Sequence, residues 1–163
     1  MRYHNITKED MLNGDGLRSV LWLAGCNHQC KNCQNPVTWD INGGLLFDNK
    51  AQEELFDSLK PDYITGVTFS GGDPLHPQNR DEVLELAKDI REKFPTKDIW
   101  LYTGYLWDEF KDDPRMNVLD VFVDGEFVEE LKDVNLPWVG SSNQRVIDVY
   151  KTLESGQIVL HKS

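Results

Sequence analysis

Short apolar runs rich in β-branched and aromatic residues alternate along this chain with segments of helical period, and that alternation restricts the possible folds more than any other feature. Val20-Leu21-Trp22-Leu23-Ala24 follows the turn signal Asn13-Gly14-Asp15-Gly16 and reads as a buried strand. Ala51 to Leu59 reads as a short helix, and Tyr63 to Phe69 as a strand that ends at Ser70-Gly71-Gly72. Val83, Leu86, Ala87, Ile90 and Phe94 recur at helical spacing, with Asn79 or Asp81 placed to cap that helix. Asp98 to Thr103 reads as a strand, Trp107 to Lys111 as a short helix and Val118 to Val123 as another strand. Strands separated by helices pair in parallel, so the expectation is an α/β fold of βα repeats whose ligands gather at the carboxyl ends of the strands.

A length of 163 residues suits one domain, and neither an internal repeat nor a low-complexity tract divides it, so residues 1–163 are expected to form a single unit. The formal net charge of −11 argues against a nucleic-acid surface, because gripping a polyphosphate takes clustered lysines and arginines. No apolar run approaches the roughly 20 residues that span a bilayer. The start Met1-Arg2-Tyr3-His4-Asn5 lacks the apolar stretch of a secretory signal, so a cytoplasmic protein without a membrane partner is expected.

All three cysteines fall in Cys26-Asn27-His28-Gln29-Cys30-Lys31-Asn32-Cys33. An odd number in one short stretch cannot staple a fold, and metal ligation becomes the leading use. Spacings of three and two residues let one loop wrap three thiolates around a compact iron–sulfur cluster. A four-iron cluster ordinarily takes four cysteines, so one iron would be left open to a small chelating ligand. Structural zinc on Cys26, His28, Cys30 and Cys33 is the competing reading, although His28 follows Cys26 more tightly than zinc ligands usually do.

A second element follows the next strand. Thr68-Phe69-Ser70-Gly71-Gly72-Asp73-Pro74 places two glycines where a missing Cβ permits unusual backbone angles and close approach of a ligand. Taken alone it is a strand-to-helix turn.

The Cys-x3-Cys-x2-Cys pattern resembles the signature of radical S-adenosylmethionine enzymes. That resemblance implies an incomplete TIM-like barrel, a [4Fe-4S] cluster on Cys26, Cys30 and Cys33, and reductive cleavage of S-adenosylmethionine to a 5′-deoxyadenosyl radical. In many members an aromatic residue flanks the last cysteine; here Asn32 and Gln34 stand around Cys33, leaving backbone contacts to adenine. Gly71-Gly72-Asp73-Pro74 resembles the family's Gly-Gly-Glu-Pro element, which implies that the Gly71 and Gly72 carbonyls accept from the cofactor's ammonium while Asp73 adds charge.

The likeness extends further. Asn13-Gly14-Asp15-Gly16-Leu17-Arg18, Cys33-Gln34-Asn35-Pro36-Val37-Thr38-Trp39, Val118 to Gly125 and Gly140 to Asp148 resemble the activating proteins of anaerobic ribonucleotide reductase. Membership would imply that the radical is passed to a glycine of a large reductase subunit, and that a one-electron donor such as flavodoxin or ferredoxin feeds the cluster. An activase of another glycyl-radical enzyme and a non-catalytic zinc or iron–sulfur module are the alternatives. Ser141 to Arg145 reads either as a capped turn leading into an edge strand or as a partner or cofactor contact, and Arg18 either as an ion pair holding the N-terminal loop or as an interaction residue. No catalytic triad or carboxylate pair emerges, and hydrogen-atom abstraction needs none.

Overall fold

The computed structural model describes residues 1–26 and 40–162. His28, Cys30, Asn32, Cys33, Gln34 and Trp39 therefore lie outside the described residues.

Seven strands form one sheet: β1 (Arg2–Asp10), β2 (Arg18–Leu23), β3 (Leu45–Leu46), β4 (Gly66–Gly71), β5 (Asp98–Tyr102), β6 (Val121–Asp124) and β7 (Arg145–Asp148), in the order β3-β1-β2-β4-β5-β6-β7. The centre β2-β4-β5-β6 is parallel, as the alternation predicts, with Leu21 beside Phe69, Phe69 beside Leu101 and Leu101 beside Phe122. Both margins are antiparallel: β1 runs against β2 and β3, and β7 against β6. The sheet is thus mixed rather than wholly parallel.

Helices α1 (Asn49–Leu59) and α2 (Arg80–Lys93) occupy the crossovers between parallel strands, and α3 (Val149–Ser155) follows β7. Side chains alternate across a strand, so each strand divides its residues between two faces. Leu21, Leu23, Val67, Phe69, Ile99, Leu101 and Phe122 point to one face and pack with Leu55, Leu59, Val83, Leu86 and Ile90 of the helices. Right-handed crossovers put consecutive helices on one side of a sheet, which accounts for this single large core. Among the described residues, the other face carries no α-helix. Trp100, Val121 and Val123 form a smaller cluster there with Tyr102, Trp138, Val139 and Val146.

Several elements differ from the sequence reading. The strand placed at Tyr63 begins at Gly66, because Pro61 to Thr65 form a turn that leaves Tyr63 exposed. Trp107 to Glu109 and Pro114 to Val118 are 3-10 turns, and the strand expected from Val118 starts at Val121. β1 goes unread because Arg2, His4, Lys8, Glu9 and Asp10 interrupt any apolar period, and among its residues Ile6 alone is fully buried. Among the described residues, no helix is long and apolar enough to cross a membrane.

Candidate iron–sulfur and cofactor site

The carboxyl ends of β2, β4 and β5 meet at one edge of the sheet, and the chemistry-bearing segments leave from there. β2 delivers Ala24, Gly25 and the partly buried Cys26, the first residue of the cysteine motif. β4 runs into Gly71-Gly72-Asp73-Pro74. These two arms are stitched together: the Gly72 N–H donates to the Leu23 carbonyl at 2.8 Å, and the Asp73 N–H to the Gly25 carbonyl at 2.6 Å.

Glycine is required at the turn itself. Gly71 has φ +106°, and a Cβ there would lie 2.4 Å from the Leu23 nitrogen and 2.6 Å from its oxygen. Both are backbone atoms that cannot swing aside, so any side chain would prise β4 from β2. Gly25 is likewise left-handed at φ +102°, which turns the chain sharply out of β2 just before Cys26.

Asp73 is the hub of this corner. Its side chain is buried and accepts three hydrogen bonds: at Oδ1 from the Leu75 N–H (2.9 Å) and the Thr103 hydroxyl (2.7 Å), and at Oδ2 from the Gly104 N–H (2.9 Å). The carboxylate therefore ties the turn after β4 to the end of β5, while its own N–H ties the turn to β2. Asn79 completes the junction. It occupies the N-cap position of α2, where an Asn side chain usually accepts from the first turn, yet it makes no such bond. Its Nδ2 instead donates to the Ala24 carbonyl at 2.8 Å and to the Asp73 carbonyl at 3.4 Å, and its buried Oδ1 has no partner. The spacing toward α2 points to Asn79 as a cap; the backbone carbonyls it reaches belong to another strand end and leave no trace in the local sequence.

The helix-free face beneath this corner holds a cavity of about 330 Å³ lined by Trp22, Ser70, Gly71 and Tyr102 from the strands and by residues of the 127–144 loop above. Arg18 lies deeper on the same face and is fully buried. Its guanidinium donates to the Thr68 hydroxyl, the Asp15 carbonyl and the Val67 carbonyl, pairs with Asp98 Oδ1 at 2.5 Å and sits 5.3 Å from the Trp100 ring centre. It fixes the N-terminal loop, as the ion-pair reading expects. Burial pushes the Asp98 carboxyl above its ordinary value, and Arg18 opposes that rise.

Ser141, Asn143, Gln144 and Arg145 bond within the chain, although Ser142 and Asn143 are exposed. Gln144 Oε1 accepts from the Gly140 and Ser141 N–H groups while its Nε2 donates to the Gly125 carbonyl. Asn143 Nδ2 donates to the Glu126 carbonyl, and Arg145 grips the buried Asp124 through Nε and Nη2. This is the capped turn before an edge strand: β7 begins at Arg145. Among the described residues, no group of three or more His, Cys, Asp or Glu side chains could hold a metal.

Residues 12–147 match the 4Fe-4S single cluster domain family. The class of protein is thereby defined as one built around a single four-iron cluster, and the cysteine motif Cys26–Cys33 falls within the match. The curated relatives are more specific. An anaerobic ribonucleoside-triphosphate reductase-activating protein of Escherichia coli (strain K12) is 44% identical over 151 residues, covering 90% of this chain and 97% of that protein. The protein of that name from Enterobacteria phage T4 is 42% identical over 146 residues, covering 90% and 93%. One from Haemophilus influenzae is 40% identical over 148 residues, covering 88% and 96%. The chain belongs to the anaerobic ribonucleoside-triphosphate reductase-activating protein family, whose cofactors are a [4Fe-4S] cluster and S-adenosylmethionine.

Proposed function

We propose that this chain activates anaerobic ribonucleotide reductase by placing a radical on a glycine of the reductase's large subunit. The supporting observation is the junction of two strand ends: the arm that carries Cys26 is hydrogen-bonded, carbonyl by carbonyl, to the Gly71–Pro74 turn. A cluster on the first and a cofactor on the second would share one rigid frame. Positioning of that kind is what the protein contributes when a cofactor carries the hard chemistry.

In this reading Cys26, Cys30 and Cys33 hold the cluster and leave one iron open. The backbone carbonyls at Gly71 and Gly72 receive the cofactor's ammonium, and Pro74 sets the exit of the turn. Asp73 acts chiefly by position, since its carboxylate already serves three donors. Asn32, Cys33 and Gln34 provide backbone contacts to adenine. When bound, cluster and cofactor supply the electron and the carbon-centred radical that removes a hydrogen atom from glycine. The parallel strands β2, β4, β5 and β6 with their helices correspond to the start of an incomplete barrel, and one continuous sheet supports a single radical S-adenosylmethionine domain. The cavity on its helix-free face admits a segment of the reductase. A flavodoxin or ferredoxin is the fitting electron donor, and the setting is the cytoplasm.

The test is anaerobic: reconstituted protein, reductant, S-adenosylmethionine and the reductase are mixed and the glycyl radical is read by electron paramagnetic resonance. A glycyl signal should form with the unchanged chain and vanish with Cys30→Ala, together with cofactor cleavage. Full cleavage by Cys30→Ala would remove that cysteine from the ligand set.

A further inference from the structure

Among the described residues, the Tyr102 hydroxyl is a buried polar group at the end of β5 that has no partner. Tyr102 ends β5, and its neighbours in the same row are Ser70 on β4 and Val123 on β6, with Trp22 one strand further along. The row lies just below the strand-end turns, and three of its residues, Trp22, Ser70 and Tyr102, line the 330 Å³ cavity. Three other side-chain donors of that cavity are committed inside the protein. Trp22 Nε1 donates to the Thr7 hydroxyl, Asn13 Nδ2 to Asp10 and Gln144 Nε2 to the Gly125 carbonyl. The Tyr102 hydroxyl is buried and has no partner. Burial raises the phenol's pKa far above its ordinary value, so it remains a neutral donor throughout the physiological range.

A buried, unpaired hydroxyl is costly, and it is retained where an incoming group completes it. The chemistry of that group follows from the walls. None of the described residues lining the cavity is charged, although Asp, Glu, Lys and Arg make up 28% of the chain. The nearest buried cation on this face, Arg18, is already paired with Asp98, so an entering carboxylate or phosphate would meet no free counter-charge among the described lining residues. A neutral oxygen acceptor flanked by apolar groups fits, and a peptide backbone supplies one. The rim agrees: Leu12, which lines the cavity, is 81% exposed and presents a large apolar side chain there.

We propose that Tyr102 is a substrate-positioning residue whose hydroxyl donates to a backbone carbonyl of the reductase segment that enters this cavity. The inference rests on the reductase-activating reading, because it takes the occupant from it. The bond would hold the segment's main chain, and with it the hydrogen-bearing carbon, against the strand ends where the cofactor binds. It would require no cofactor contact from Tyr102.

Tyr102→Phe removes the oxygen and keeps the ring. In the reconstituted holoprotein, cofactor affinity and cofactor cleavage without reductase should match the unchanged chain. The reductase concentration giving half-maximal glycyl radical should rise about two- to tenfold, the range expected for one lost hydrogen bond. Thermal stability should hold or improve, since an orphaned hydroxyl is removed. An unchanged dependence on reductase would overturn the proposal. So would weaker cofactor binding without reductase, which would assign the hydroxyl to the cofactor, or a lower melting temperature, which would give it a partner inside the protein. Failure of the unchanged chain to cleave S-adenosylmethionine would instead strike the parent reading.

Discussion

Arg18 and Asp73 show how single charged residues set this site without performing its chemistry. A buried guanidinium satisfied by one carboxylate and by hydroxyl and carbonyl oxygens joins the N-terminal loop, β4 and β5 at one point. Removing one side of such a group strands its partners, so Arg18→Met should cost about 2–4 kcal/mol, seen as a lower melting temperature of the reconstituted protein. If Arg18→Met melted with the unchanged chain, Arg18 would be an interaction residue after all. Asp73 is legible in the sequence as part of the turn, but its work is not. The partners of its carboxylate, Thr103 and Gly104, stand some thirty residues away at the end of another strand. Local pattern carries no information about such pairs; only the parallel register of β4 and β5 brings them together.

At the scale of elements, the decisive contact is between two strand ends and the N-cap residue of α2. Asn79 gives up the usual helix cap to donate to the Ala24 and Asp73 carbonyls. Asn79→Ala should therefore destabilise by about 1–3 kcal/mol through the lost donor to a buried carbonyl. Asn79→Asp should be the worse of the two, because it sets a carboxylate oxygen against carbonyl oxygens in a buried site. Thermal denaturation of the two variants side by side checks the order, and a more stable Asn79→Asp would contradict the assigned donor. The central elements were readable because β2, β4 and β5 are nearly continuous apolar runs buried on both faces, and because α2 keeps its helical period. The margins were not. β1 is a polar strand, β3 is two exposed leucines, and α3 has only seven residues. The Gly-Gly turn could be placed from its residues, yet the need for glycine at Gly71 comes from the Leu23 backbone beside it.

For the molecule as a whole, the sidedness of the sheet links fold to function. Helices fill one face, and the other face keeps a loop-covered cavity at the strand ends where the cysteine arm and the glycine turn are tied into one corner. An open face of this kind suits a reaction whose target is part of another protein. The net charge of −11 makes any charge-paired docking to this chain sensitive to salt. In the proposed function, the cysteine arm and the glycine turn hold a cluster and S-adenosylmethionine in contact. The most direct test reconstitutes the protein with iron and sulfide without oxygen, reduces it, and records its electron paramagnetic resonance spectrum with and without S-adenosylmethionine. A reduced-cluster signal that changes on adding the cofactor is the predicted result, because the cofactor then binds the open iron. Bound zinc, or a cluster signal indifferent to the cofactor, would contradict the account.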